Sequence, residues 1–311
     1  MTASDSVALL RKTLARYLKQ SFESGEQDAD GDFVVRRGSA VTYLRPVQRT
    51  DARTVVYVWS ITNLDVNVDG ALTRFLATAS GELAFGGFFL DQERRAVVVR
   101  HTLLGDFVGR DEVTEVIETV SSSAQVYGAR IKAMFGGRLF SESAASRRDD
   151  PPLPNPIRLE GKEAAPSRLP ETAPVVELGR RLERHAGKLF KDWRVDGEGD
   201  FAIGAGRAVV WVRPAELPRE RSGVRIWSIT NLDMRVDDEL TRLIATENAS
   251  LAFASLYLGQ GRPEVAAGHT LASTFNGTEL GEAVVAVAAA ANEYGDRIKT
   301  RFGGRLFSEV Q

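Results

Sequence analysis

Apolar residues at Leu10, Leu14, Tyr17, Leu18 and Phe22, with polar residues between, predict a helix over Val7 to Phe22 with one buried face. Phe33 to Val35 and Val41 to Leu44 predict two strands joined by a turn at Arg37-Gly38, and Thr54 to Ile61 a third. Asp69 is placed to cap a short helix reaching Ser80, with Leu72, Phe75 and Leu76 facing inward. Two further strands are expected at Leu83 to Leu90 and Ala96 to Leu104. A long helix from Asp111 to Phe135 follows, its apolar residues three and four apart, and it ends at Gly136-Gly137.

The same pattern then returns. Aligned without a gap from Trp59 and Trp227, 24 of 45 positions are identical, and Tyr127 to Glu142 matches Tyr294 to Glu309 at 13 of 16. Asp32 and Asp200, and Arg45 and Arg213, keep the same offset of 168. The chain is a tandem repeat of an α-β-β-β-α-β-β-α unit, which makes the fold class α+β. Each unit is expected to be a twisted antiparallel sheet packed with helices. The expected boundaries are 1–142 and 174–311, joined by a tether at 143–173. The stretch Ser143 to Pro174 holds seven of the eleven prolines, a composition that reads as semi-extended.

At 311 residues and 43% hydrophobic content, the chain can bury two ordinary cores. The absence of cysteine excludes disulfides and thiol chemistry. A net charge of -2 supplies no overall field for nucleic acid, and no apolar run approaches the length of a membrane span. No cofactor, nucleic acid or membrane partner is expected. The first residues lack a basic stretch followed by an apolar one, so the expected location is the cytoplasm.

Asp65, Asn67, Asp69 and Gly70 open like a calcium-binding loop, but Leu76 stands where the bidentate glutamate belongs, which favours a helix cap. His101, His185 and His269 lack metal-ligand spacing, and no phosphate-binding or nucleophile-elbow motif occurs, so an enzyme is not expected. Asn231 and Asp233 could line a polar site or shape the turn between strand and helix. The strands carrying Ala84, Phe88 and Leu90, and Ala252, Leu256 and Leu258, are apolar on both faces. Such strands need a second cover, and a partner surface is one candidate.

The element order, with Ala245 to Ala249, Leu251 to Phe253, His269 to Leu271 and Tyr294 to Gly304, resembles the YbjN family of type III secretion chaperone-like (TY-Chap) domains. The likeness covers both copies; Ala77 to Gly81 departs from the Ala-Thr-Glu-Asn-Ala segment of the second. The resemblance implies a non-enzymatic domain that holds an extended or partly unfolded protein client. Two fused copies would form an intramolecular pseudo-dimer. Glu247 and Asn248, in that segment, join the strand residues and Asn231 and Asp233 as candidate partner contacts. Self-association through sheet faces, a regulatory scaffold, and a hydrolase or ligand sensor using Asn231, Asp233 and His269 are the other readings.

Overall fold

The computed structural model describes residues 3–23, 26–49, 53–106, 108–143, 173–218 and 221–310, with the side chains of 3, 4 and 173 left aside. Residues 144–172 of the expected tether lie outside the described residues. The chain divides into two compact units. One holds Met1–Leu72 and Phe88–Leu159, the other Thr73–Gly87 and Glu160–Gln311.

In the first unit, α1 (Ala3–Phe22) precedes strands β1 (Phe33–Arg37), β2 (Ala40–Gln48) and β3 (Thr54–Leu64). After α2 (Gly70–Ser80) come β4 (Gly87–Asp91), β5 (Ala96–Leu104), α3 (Arg110–Phe135), the two-residue β6 (Arg138–Leu139) and a 3-10 turn at Phe140–Glu142. The sheet order is β1-β2-β3-β5-β4, with β6 also on β3. One face carries Leu44, Val58 and His101 on one row and Val35, Thr42, Ser60 and Val99 on the next, all buried. Helices α1 and α3 cover it, and Thr42 Oγ1 lies 2.8 Å from Ser121 Oγ on α3. Leu14, Leu18, Ile117 and Ile131, none of them accessible, form the helical side of this core.

The second unit repeats the plan with α4 (Ala173–Leu189), β7 (Trp193–Val195), β8 (Phe201–Ala205), β9 (Ala208–Leu217) and β10 (Arg221–Leu232). It continues through α5 (Asp238–Glu247), β11 (Ser255–Leu258), β12 (Glu264–Ala272), α6 (Gly277–Phe302), β13 (Arg305–Leu306) and a 3-10 turn at Phe307–Glu309. The order is β11-β12-β10-β9-β8-β7, with β13 on β10. The row of buried Phe201, Val212 and Ile226 with half-buried His269 faces α4 and α6.

This unit also takes in residues 73–87, and Ala77 belongs to its core. Thr73 Oγ1 lies 2.8 Å from Thr241 Oγ1 on α5, and Arg74 Nη2 donates to the Val236 carbonyl. The ring of Tyr257 fits between two glycines: a Cβ at Gly81 would lie 2.7 Å from it and one at Gly268 2.9 Å. Burial there pushes the Tyr257 phenol up to about 12.

Several expected boundaries shift for local reasons. The strands expected from Leu83 and Leu251 begin at Gly87 and Ser255, because Gly86 (φ 83°) and Phe253 (φ 54°) take left-handed conformations that a strand cannot continue through. Helix α4 stops at Leu189, and Trp193 starts β7 and stacks on Phe201 at 5.6 Å. Asp69 and Asp237 are helix caps: Leu72 N–H donates to Asp69 at 2.8 Å, and Glu239 and Leu240 donate to Asp237.

Candidate functional site

The residues expected to touch a partner do not form one surface. Ala84 and Ala252 sit in bends ahead of the strands rather than on them, a correction that follows from the late strand starts. Phe88 and Leu90 are 0% and 2% exposed, and Leu256 and Leu258 are 0% and 5%. The second cover these residues wanted is internal. Phe88 meets the Tyr127 ring of α3 edge-on at 5.0 Å, and Leu256 and Leu258 join the core of the second unit.

The polar candidates separate too. Asn231 is fully buried and donates from Nδ2 to the Gly295 carbonyl of α6 at 2.9 Å; Asn63 does the same to Gly128 at 3.0 Å. The register of β3 slips between Ile61 and Asn63, and that of β10 between Ile229 and Asn231. This bulge turns each asparagine inward as a strut between sheet and helix. Asp233, exposed and at φ 56°, pairs with Arg305. Glu247 accepts from Tyr294 Oη and Arg297 Nη2, both at 2.8 Å.

Asn248 has a more telling position. Its Nδ2 donates to the Leu256 carbonyl at 3.0 Å, and its Oδ1 accepts from the Leu256 N–H at 2.7 Å. Leu256 sits on edge strand β11, so this amide occupies the backbone groups that an added strand would use. An amide cap of this kind closes the β11 edge at Leu256.

The sheet face away from the helices is different. In the first unit, Tyr43, Trp59 and Arg100 lie on one row and Arg45, Tyr57 and Thr102 on the next. Tyr43 and Trp59 stack with centroids 5.5 Å apart, and Phe140 of the 3-10 turn meets Tyr43 edge-on at 6.3 Å. Arg45 lies 5.5 Å from the Trp59 centroid, and Arg100 lies over Tyr57 and Phe89 at 5.3 and 5.1 Å. Burial lowers the pKa of Arg100, with Tyr57 opposing.

The second unit builds the same platform. Trp211 and Trp227 stack at 6.2 Å, Phe307 meets Trp211 edge-on at 5.0 Å, and Arg213 lies 5.5 Å from the Trp227 centroid. All four aromatic side chains Tyr43, Trp59, Trp211 and Trp227 are half-buried. A carboxylate across the hairpin from each arginine fixes it. Arg45 Nε and Nη2 donate to Asp32 at 2.6 and 2.5 Å, and Arg213 makes the same pair of bonds to Asp200. Burial pushes the Asp200 carboxyl up while Arg213 opposes it, and the bond to Asp200 raises the Arg213 guanidinium. Guanidinium groups held in this way are rigid, and aromatic planes offer contact area at small entropic cost.

Beside Phe307, a cleft of about 20 Å³ is lined by Arg207, Ile229, Asn292 and Leu306. It has room for about one water molecule and falls far below the size of a small-ligand pocket. Among the described residues, no group of three or more ligating side chains could hold a metal, and no helix is long and apolar enough to cross a membrane.

The platform residues escaped the sequence reading because their strands look uniformly apolar. The repeat did mark them: Trp59 and Trp227, Asp32 and Asp200, and Arg45 and Arg213 are identical at the shared offset.

A family model described as type III secretion (YopN, CesT) and YbjN peptide-binding chaperone 1, TY-Chap1, matches residues 4–143 and again residues 177–310. No curated protein matches the chain.

Proposed function

The chain belongs to this family of peptide-binding chaperones, in two copies, and from that premise we propose that it holds an extended or partly unfolded protein segment on the aromatic platforms of its sheets. The observation that carries the proposal is the recurrence, at equivalent register positions, of a half-buried stacked pair: Tyr43 and Trp59, Trp211 and Trp227. Stacked aromatic faces flanked by a cation suit a chain that offers apolar side chains and an unpaired backbone. The helix-covered faces are filled by core residues, and Asn248 occupies the β11 edge.

We assign the protein a binding role rather than a catalytic one. A hydrolase using His269 would need a base that titrates near neutrality. Burial instead drives His269 down to about 3, with Phe253 edge-on to its ring at 5.7 Å. Asp233 and Glu247 are each engaged by arginine.

We further propose that the two copies build an intramolecular pseudo-dimer. Thr73 and Thr241 are equivalent positions, 168 residues apart, and they bond to each other within the second unit. Contact between a residue and its own equivalent is the mark of an isologous interface.

The test is fluorescence anisotropy of a labelled, permanently unfolded protein titrated with the intact chain. Trp59→Ala combined with Trp227→Ala should weaken binding by about tenfold or more, with the far-ultraviolet circular dichroism unchanged. Unaltered affinity in that variant would remove the platforms as the client site.

A further inference from the structure

The solvent-accessible charges on the platform rows are of one sign. In the first unit, the charged side chains on the two aromatic rows are Arg45 and Arg100. In the second, pairing places Arg194, Ala202, Trp211, Trp227 and Gly268 on one row and Arg213, Arg225 and Thr270 on the next, so that Arg194, Arg213 and Arg225 are its charged members. Asp32 and Asp200 stand at the strand ends opposite Arg45 and Arg213, each 2% exposed and committed to that arginine, so that neither offers a free carboxylate to the face. Glu198 adds a contact to Arg213 at 3.4 Å.

Arg194 and Arg225 are exposed. Arg225 donates from Nη2 to the neutral Gly81 carbonyl at 3.2 Å, so its charge is not cancelled there. Along β10, Arg225 and Trp227 are two residues apart and point to the same face, the spacing at which an extended peptide repeats its own side chains.

We infer that the client segment is acidic as well as apolar, an extended peptide whose carboxylates meet Arg225 and Arg194 while its aromatic or aliphatic side chains lie on Trp211 and Trp227. The inference rests on the platform being the client site. Arginine suits the task because its planar fork meets a carboxylate in two parallel bonds and also stacks on rings.

The test uses the intact chain and a fluorescein-labelled peptide in which phenylalanine and glutamate take alternate same-face positions with serine between. Matched peptides carry glutamine or lysine in place of glutamate. The glutamate peptide should bind about tenfold more tightly than the lysine peptide, and the gap should close at roughly 1 M salt. Arg194→Gln with Arg225→Gln should reduce glutamate-peptide binding to the glutamine-peptide level. Arg194→Gln alone, at an exposed position, should weaken it in the same direction should the double variant lose its fold. Equal affinity for the glutamate and glutamine peptides would overturn the charge preference and leave peptide binding standing. Failure of all three peptides to bind would overturn the platform reading and this inference with it.

Discussion

Arg213 donates from Nε and Nη2 to the two oxygens of Asp200, thirteen residues earlier in the chain, and this pair holds the guanidinium beside Trp227. Asp200 is 2% exposed, so removing its partner strands a charge in a poorly solvated place. Arg213→Ala should cost about 3 kcal/mol in urea unfolding. Arg213→Ala combined with Asp200→Asn should cost less than Arg213→Ala alone, because the buried charge is gone. Additive losses would show that the two residues are not coupled.

His269 sets an acid limit on stability. Its folded pKa of about 3 lies below the unfolded value of about 6.5. Below pH 6.5 the unfolded chain therefore binds a proton that the folded chain refuses, and the fold loses stability as pH falls toward 3. The loss should reach on the order of 3 kcal/mol by pH 4. Urea midpoints measured at neutral pH and near pH 4.5 should fall less in His269→Gln than in the parent chain. An identical fall in both would show that His269 is not the group responsible.

The edge cap separates the copies. Asn248→Ala removes both bonds to the Leu256 backbone and should cost about 2–3 kcal/mol, with faster hydrogen exchange at the Leu256 amide. At the equivalent position of the first copy, Ser80 bonds back to the Leu76 carbonyl of its own helix. Ser80→Ala should cost under about 1 kcal/mol. Equal costs at the two positions would contradict the assigned cap.

The Thr73–Thr241 bond gives a direct handle on the proposed pairing. Thr73→Val should destabilise the intact chain by about 1–2 kcal/mol. Adding Thr241→Val should recover part of that loss, since both hydroxyls are then absent. A double variant as unstable as the sum of the singles would count against the bond.

Periodicity made the helices and most strands legible, because residues such as Leu14, Leu18 and Ile117 pack against one face and leave a plain three- and four-residue step. Strand starts at Gly87 and Ser255 were not legible, since a left-handed Phe253 has no mark in composition. The short strands β6 and β13 escaped for lack of length. The site was marked but not read. The repeat picked out Asp32 with Asp200 and Arg45 with Arg213 as identical residues, yet only hairpin pairing brings each aspartate to its arginine. The alternation around Phe88 and Leu256 calls for a second cover, and Tyr127 and the core of the second unit supply it.

Three of the four tryptophans, Trp59, Trp211 and Trp227, lie on the platforms, so the protein carries its own reporter. The most direct measurement is tryptophan emission of the intact chain, with Trp193→Phe to silence the indole off the platforms, titrated with a reduced and alkylated protein that cannot fold. A saturable emission shift, lost together with binding in the Trp59→Ala, Trp227→Ala variant, is the predicted result. Saturable binding by anisotropy with emission unchanged would contradict it and move the client site elsewhere on the molecule.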